Sequence, residues 1–108
     1  MQNLTIELIR GGDRNLQEAR KKVSRKPHVI IATPGRALQL IKEKYLHCEN
    51  MLITCLDEAD KMLADFYNDI REIFSMLPPT IQLLLFSATI PHPIFLDLLK
   101  KYQVLSYY

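Results

Sequence analysis

The 108-residue chain contains 48% hydrophobic and 24% charged residues, a composition that is typical of one small globular domain and argues against disorder. Its net charge of +2 neither supports nor excludes a nucleic-acid partner, so any such evidence must come from local motifs. The chain has no apolar run long enough to span a bilayer and no signal-peptide pattern. We therefore expect no membrane partner and a cytoplasmic or nuclear location.

Four apolar runs predict β-strands, at residues 4–9, 28–32, 51–56 and 81–86. The first run alternates in polarity, which predicts a strand nearer an edge. The other three are almost continuously apolar, which is typical of strands covered on both faces in a parallel sheet. Cys55 lies within the third run, and we expect it to be a buried, reduced core residue.

Helical periodicity separates these strands. The first two helices are marked by apolar residues at helical spacing, namely Leu16, Ala19 and Val23, then Leu38, Ile41 and Tyr45. The third pattern predicts a single helix of about five turns. Its apolar face comprises Ala59, Met62, Leu63, Phe66, Ile70, Ile73, Phe74 and Leu77, and Pro78-Pro79 ends it. A fourth helix is predicted after Pro91 and Pro93.

The alternating order of strands and helices predicts an α/β fold, a parallel sheet with flanking helices and right-handed crossovers. Ligands of such sheets bind beyond the carboxyl ends of the strands. A short motif follows each predicted strand: Gly11-Gly12, Thr33-Pro34-Gly35-Arg36, Asp57-Glu58-Ala59-Asp60 and Ser87-Ala88-Thr89. The sequence therefore predicts a binding site at this edge of the sheet.

The acids after the third strand suit two roles. Asp57 could hold Mg²⁺ through water while the metal bridges phosphate oxygens, and Glu58 could deprotonate an attacking water. The same acids would also favour the positive end of the helix that they begin. Ser87 and Thr89 offer hydroxyl groups able to bond Asp60, or to cap the turn that follows.

The glycine and arginine motifs also permit two interpretations. Thr33 and Pro34 suit a helix start, while Gly35 and Arg36 would let an RNA or DNA phosphate approach closely. A plain helix start with a solvated arginine explains the same residues. Gly11-Gly12 could present bare amides to a second phosphate, or form a tight turn. The basic residues Lys21, Lys22, Arg25 and Lys26 favour a solvated helix end over a nucleic-acid patch.

The four motifs G-G, T-P-G-R, D-E-A-D and S-A-T, in this order and spacing, resemble the first RecA-like domain of DEAD-box ATP-dependent RNA helicases, a P-loop NTPase fold. The resemblance extends from Leu4 to about Tyr102. The stretch L-P-P-T-I-Q-L-L-L-F-S-A-T-I-P-H is most similar to the translation initiation factor 4A type of this family.

The resemblance implies ATP and Mg²⁺ as cofactors and RNA as a partner. It makes Asp57 the residue that holds the Mg²⁺ of the bound nucleotide, through water, and Glu58 the residue that activates the hydrolytic water. Asp60 would link the ATP site to Ser87 and Thr89, which couple hydrolysis to strand separation. Contacts to the RNA sugar-phosphate backbone, without sequence preference, are implied for Gly11, Gly12, Thr33, Gly35 and Arg36.

The sequence departs from the family pattern in several places. It contains no G-x-x-x-x-G-K-[ST] motif, no upstream adenine-recognition motif, no P-T-R-E-L-type motif and no second RecA-like domain. We therefore expect residues 1–108 to be the carboxyl-terminal half of the first domain, an incomplete domain with an exposed edge at strand 81–86. The isolated chain is predicted to bind ATP very weakly and not to unwind RNA.

Two alternatives remain at this point. The chain could be a truncated, non-catalytic α/β domain that binds RNA or a protein partner. It could also be an unrelated phosphate-binding α/β domain, which would require the order of the four motifs to be coincidental.

Overall fold

The computed structural model describes residues 3–9 and 16–89. The strands are β1 (Ile6–Ile9), β2 (Val29–Ala32), β3 (Ile53–Leu56) and β4 (Gln82–Leu85). The helices are α1 (Leu16–Ser24), α2 (Pro34–Lys42), α3 (Ala59–Asp65) and α4 (Tyr67–Met76), with a 3₁₀ helix at Cys48–Asn50. The helix predicted after Pro91 lies outside the described residues.

Parallel strand pairing confirms the predicted α/β fold with flanking helices. β1 pairs with β2, with Ile6 opposite Val29, and β3 pairs with β4, with Ile53 opposite Gln82. In the described part of the chain these pairs form two two-stranded sheets instead of one four-stranded sheet. The chain divides into two compact units, Met1–His47 and Cys48–Tyr108, which we call the first and second units.

The core of the first unit forms where α1 and α2 supply apolar side chains to one face of β1–β2. Its buried residues are Ile9, Ala19, Val23 and Leu40. The face predicted for α1 is confirmed, but the stripe predicted for α2 is only partly right. Leu38 is buried, as the stripe predicts, but Leu40, which is outside the stripe, is completely buried, and Tyr45 remains 41% exposed. Tyr45 departs from the stripe because α2 ends at Lys42, and the amides of Tyr45 and Leu46 then donate to the Leu40 carbonyl oxygen.

The opposite face of the β1–β2 sheet is apolar and open in the described structure. Ile6 and Leu8 are exposed by 60% and 44%, and their register partners Val29 and Ile31 by 40% and 54%. The prediction that β2 is covered on both faces is therefore wrong for the described residues. Successive strand residues point to opposite faces, and α1 and α2 supply apolar cover to the Ile9 face alone.

Cys55 is also exposed, which contradicts its predicted place in the core. It lies two residues after Ile53, on the same face of β3, and Ile53 is itself 57% exposed. An apolar run shows that the residues of a strand are hydrophobic, but it does not show which face of the strand other elements pack against.

The core residues of the second unit come from the 3₁₀ helix, α3, α4, β4 and the residues between α4 and β4. The buried side chains are Cys48, Ala59, Leu63, Ile70, Phe74, Leu77, Ile81, Leu83 and Leu85. The single long helix that the sequence predicts is wrong, because the chain breaks at Phe66, with φ −129° and ψ 32°. Its amide still donates to the Met62 carbonyl oxygen at 2.8 Å, and its own carbonyl oxygen accepts from Ile70 at 3.0 Å. Hydrogen bonding thus continues through the break while Phe66 turns outward.

The predicted stop at Pro78-Pro79 is confirmed. α4 ends at Met76, and Leu77, which precedes the first proline, is extended with ψ 147°. None of the helices in the described part of the chain is both long and apolar enough to cross a membrane.

Candidate functional site

The acidic loop of the second unit follows β3 directly and is fastened to the end of β4. The Phe86 amide donates to the Leu56 carbonyl oxygen at 3.0 Å, which extends the ladder between the two strands. The Ala59 amide then donates to the Phe86 carbonyl oxygen at 2.8 Å. These backbone bonds hold the first turn of α3 against the carboxyl end of β4, as the parallel-sheet argument predicts.

Glu58 occupies a sparsely populated backbone conformation in this loop. Its φ of 50° and ψ of 49° are left-handed, and it precedes the first residue of α3. Asp57 supports the turn, because its Oδ1 accepts a hydrogen bond from the Glu58 amide at 2.9 Å. Left-handed conformations of residues other than glycine cost on the order of 1 kcal/mol and concentrate at functional sites. Both carboxylates are exposed, so the loop presents adjacent acids to solvent.

Asp60 links this loop to the segment after β4. The Thr89 hydroxyl donates to Asp60 Oδ2 at 3.1 Å, and the Ser87 hydroxyl donates to the Thr89 carbonyl oxygen at 3.1 Å. Desolvation raises the pKa of Asp60, but hydrogen bonds from the Lys61 amide and the Thr89 hydroxyl outweigh it and hold the pKa below its ordinary value. Asp60 is therefore a stable anion that accepts hydrogen bonds.

The acidic loop is a candidate site for Mg²⁺. No group of three His, Cys, Asp or Glu side chains suited to a metal ion is found among the described residues. Mg²⁺ commonly keeps several waters and takes only one or two carboxylates, with phosphate oxygens completing its shell. The exposed Asp57 carboxylate fits such a water-mediated contact, and its Oδ1 bond to the Glu58 amide orients it.

The Thr33–Arg36 motif begins α2 in the first unit. Pro34 is the first residue of the helix, as predicted, and Thr33 has an extended backbone at the capping position. The Thr33 side chain makes no capping hydrogen bond, although threonine suits that role; its carbonyl oxygen accepts from the Ala37 amide at 2.9 Å. Proline at the first position has its φ fixed near the helical value, which favours the start of α2 even without a side-chain cap.

Gly35 and Arg36 lie in the first turn of α2. Gly35 is exposed, and the Arg36 guanidinium donates to Gln39 Oε1 at 3.2 Å, one turn further along the helix. This contact orients the Arg36 side chain along the helix surface. Gly11 and Gly12 lie outside the described residues.

The structure thus brings together five of the predicted site residues within the second unit, Asp57, Glu58, Asp60, Ser87 and Thr89. Thr33, Gly35 and Arg36 form a separate helix start in the first unit. The sequence interpretation missed Phe86, whose backbone joins the two motifs of the second unit. Its position directly before S-A-T was the available signal.

Parallel strand pairs joined through helices, with acids and hydroxyls after adjacent strands, define an α/β protein of the RecA-like class. A family model described as DEAD/DEAH box helicase matches residues 1–96. The chain belongs to the DEAD/DEAH box helicase family.

Known relatives agree with this assignment. The chain is 43% identical over 104 residues to the ATP-dependent RNA helicase FAL1 of Kluyveromyces lactis, with 94% of this chain and 26% of that protein aligned. It is 38% identical over 93 residues to eukaryotic initiation factor 4A-1 of Arabidopsis thaliana, with 85% and 22% aligned. The chain therefore spans about a quarter of the length of these curated relatives.

A solved structure has the same fold. The crystal structure of a DEAD box protein from the hyperthermophile Methanococcus jannaschii superposes with a TM-score of 0.77 at 34% identity. The match covers 99% of this chain and 29% of that one.

Proposed function

We propose that this chain is part of an ATP-dependent RNA helicase of the cytoplasm or nucleus, and that its parent couples ATP hydrolysis to RNA binding and local unwinding. The observation that carries the proposal is the Asp60–Thr89 hydrogen bond, which joins the acidic loop to the S-A-T segment. A hydrogen bond between an acid of the proposed nucleotide site and a second motif could transmit the structural change on ATP hydrolysis to another site. The relatives that are named ATP-dependent RNA helicases support the same function.

The second unit supplies the nucleotide side of this proposal. Asp57 would hold Mg²⁺ through water, and the metal would neutralise charge on the phosphates of ATP. Glu58, exposed and adjacent, would orient and deprotonate the water that attacks the terminal phosphate. Asp60 is kept anionic by its hydrogen bonds and would relay changes to Ser87 and Thr89.

The first unit supplies the RNA side. The exposed Gly35 and the half-buried Arg36 lie in the first turn of α2, where amide groups and a guanidinium suit a backbone phosphate. We assign the RNA contacts to Thr33, Gly35 and Arg36, together with Gly11 and Gly12. Such contacts do not read base identity, so no preferred RNA sequence is proposed.

The test uses the full-length parent, with Glu58→Gln as the variant and Asp65→Asn as the matched control. Asp65 is an exposed acid at the end of α3. Loss of a general base lowers the rate by about 100-fold or more, so Glu58→Gln should abolish RNA-stimulated ATP hydrolysis while RNA binding persists. Asp65→Asn should hydrolyse ATP at the parental rate. Equal hydrolysis by parent and Glu58→Gln would contradict the role of Glu58.

The alternative function is a non-catalytic RNA- or protein-binding domain. It is favoured by the lack of any G-x-x-x-x-G-K-[ST] motif within the 108 residues. We propose that the isolated chain binds ATP very weakly and does not hydrolyse it. A measurable ATPase rate of the isolated chain, lost on Glu58→Gln, would contradict this proposal and favour a self-sufficient enzyme.

A further inference from the structure

The first unit carries an open cleft beside α1 that none of the site residues lines. Its volume is about 510 Å³, and its lining residues are Gln17, Arg20, Lys21, Ser24, Arg25 and Tyr45. We call this surface the α1 cleft. Three of its residues are cations, and the others offer an amide, a hydroxyl and an aromatic ring, so no carboxylate lines it.

Arg20 forms a fixed wall of the α1 cleft. Its Nε and Nη2 donate to the two carboxylate oxygens of Glu43 at 3.2 and 2.9 Å. Its guanidinium also lies 5.4 Å from the centre of the Tyr45 ring. The two-pronged bond neutralises Glu43, and the stacking orients the aromatic ring. Glu43 therefore leaves little negative charge to oppose an anion.

Lys21 and Arg25 carry the charge that remains available to a ligand. The exposed Lys21 side chain makes no hydrogen bond or ion pair within the part of the chain that the structure describes. Arg25 contacts Glu7 at only 3.5 Å, and its side chain is 65% exposed. An exposed ion pair of that length contributes little, so a phosphate could displace it at small cost.

The charge of the chain is divided unequally between the units. The first unit contains ten Lys and Arg against four Asp and Glu, a net charge of +6. The second unit contains four against eight, a net charge of −4. The near-neutral total therefore hides a strongly basic unit, and a basic unit attracts polyanions.

The α1 cleft lies away from the helix start that carries Arg36. A helix between parallel strands runs from the carboxyl end of the first strand back to the amino end of the second. Arg25 follows α1 and precedes β2, so it lies at the amino end of the sheet. Thr33 follows β2, so Arg36 lies at the carboxyl end. The two basic positions are thus at opposite ends of one sheet.

We propose that the α1 cleft is a second, sequence-independent contact site for single-stranded RNA, with Lys21 and Arg25 on backbone phosphates and Tyr45 available for stacking. Surfaces that bind single-stranded nucleic acids commonly combine cations, which contact the backbone, with exposed aromatic rings, on which bases stack. An acidic peptide would use the cations but would offer no stacking partner to the part of the Tyr45 ring that Arg20 leaves exposed. This inference rests on the proposed function only for the identity of the polymer.

The test measures binding of a fluorescein-labelled oligouridylate to the 108-residue chain by anisotropy over a series of salt concentrations. Lys21→Ala is the variant, and Arg71→Ala is the control, because Arg71 is an exposed cation on α4 of the second unit. One lost phosphate contact lowers the slope of log Kd against log salt by about 0.7, or affinity about fivefold near 0.1 M salt. Arg25→Ala should add a similar loss, and Arg71→Ala should change Kd less than about twofold.

The outcomes separate this inference from the proposed function. If Lys21→Ala behaves as Arg71→Ala does, the α1 cleft is not an RNA site, even where Arg36→Ala weakens binding. If Lys21→Ala weakens binding and Arg36→Ala does not, the cleft stands and the proposed role of Arg36 fails. Competition by polyglutamate as effective as that by unlabelled RNA of equal charge would overturn RNA as the partner. Circular dichroism of Lys21→Ala should match that of the parent chain.

Discussion

The hydrogen bond from Thr89 to Asp60 couples two motifs that lie 29 residues apart in the sequence. Because the pKa of Asp60 is lower in the folded chain than its ordinary 3.8, the ionised side chain stabilises the fold above that pH. The contribution is lost as the pH falls through the folded-state pKa. Thr89→Val removes one donor, so we expect the pKa of Asp60 to rise towards 3.8, as measured by carboxyl carbon NMR.

Thr80→Val serves as the control, because Thr80 is exposed in the turn before β4. It should leave the pKa of Asp60 where it is in the parent chain. An unchanged Asp60 titration in Thr89→Val would show that the hydrogen bond between the two side chains does not form in solution.

The two cysteines differ in exposure, and this difference predicts their reactivity. Cys48 is 5% exposed, whereas Cys55 is exposed on β3. Desolvation, partial at the exposed Cys55, raises the pKa of both thiols above 9.0, with Glu49 adding to the effect at Cys48 and Asp57 at Cys55. Both should therefore react slowly at neutral pH and faster as the pH rises, because the thiolate is the nucleophile.

We expect a disulfide reagent to label Cys55 at least about tenfold faster than Cys48, since a buried thiol must wait for local opening. The measurement is the labelling rate of Cys48→Ser against that of Cys55→Ser under native conditions. Equal rates in the two variants would contradict the difference in exposure.

At the scale of elements, the break at Phe66 decides how the two helices of the second unit pack. Phe66 is 39% exposed, whereas Phe74, two turns further on, is 4% exposed. We expect Phe74→Ala to lower the free energy of unfolding by about 3 to 5 kcal/mol, because it leaves a buried cavity. The matched change Phe66→Ala should cost at most about 1 kcal/mol.

Urea unfolding of the two variants provides this comparison. A cost at Phe66 equal to that at Phe74 would mean that α3 and α4 form one continuous helix in solution, with Phe66 on its buried face. The periodic sequence pattern alone favours that continuous helix, so the two variants discriminate between pattern and fold.

At the scale of the whole molecule, the open face of the β1–β2 sheet is an apolar surface of the first unit. Its four exposed aliphatic side chains, Ile6, Leu8, Val29 and Ile31, are register partners and so form one continuous patch. Contiguous apolar patches promote association. We expect Ile31→Thr to reduce self-association of the 108-residue chain, as measured by sedimentation velocity. The same change should lower the free energy of unfolding by less than about 1 kcal/mol.

Threonine keeps the β-branched shape that strands favour, so the change tests the exposed surface and not the strand itself. Ile9→Thr is the contrasting variant, because Ile9 is 2% exposed and lies in the core. It should destabilise the fold instead. Unchanged association in Ile31→Thr would show that the patch does not drive it.

The exposed edge predicted for β4 remains a prediction, since β4 pairs only with β3 among the described strands.

Much of this molecule follows from local chemistry. The hydrophobic period identified the regions of the four described α-helices and all four strands, but not the 3₁₀ helix at Cys48–Asn50. The proline pair marked the end of α4. These features depend on neighbouring residues. The motifs after β3 and β4 could be placed at one edge because parallel strands carry their carboxyl ends together. The Thr33–Arg36 motif could likewise be placed at the start of α2.

Other features depend on contacts between distant residues. One such feature is the face of each element that packs against its neighbours. That packing determines the exposure of Cys55 and Ile31, the outward turn of Phe66 and the burial of Leu40. The Asp60–Thr89 bond and the pairing of Arg20 with Glu43 join residues 29 and 23 positions apart. The hydrophobicity of a side chain shows that its burial would stabilise the fold. Only the packed chain determines which side chains are buried, because burial depends on neighbours in space.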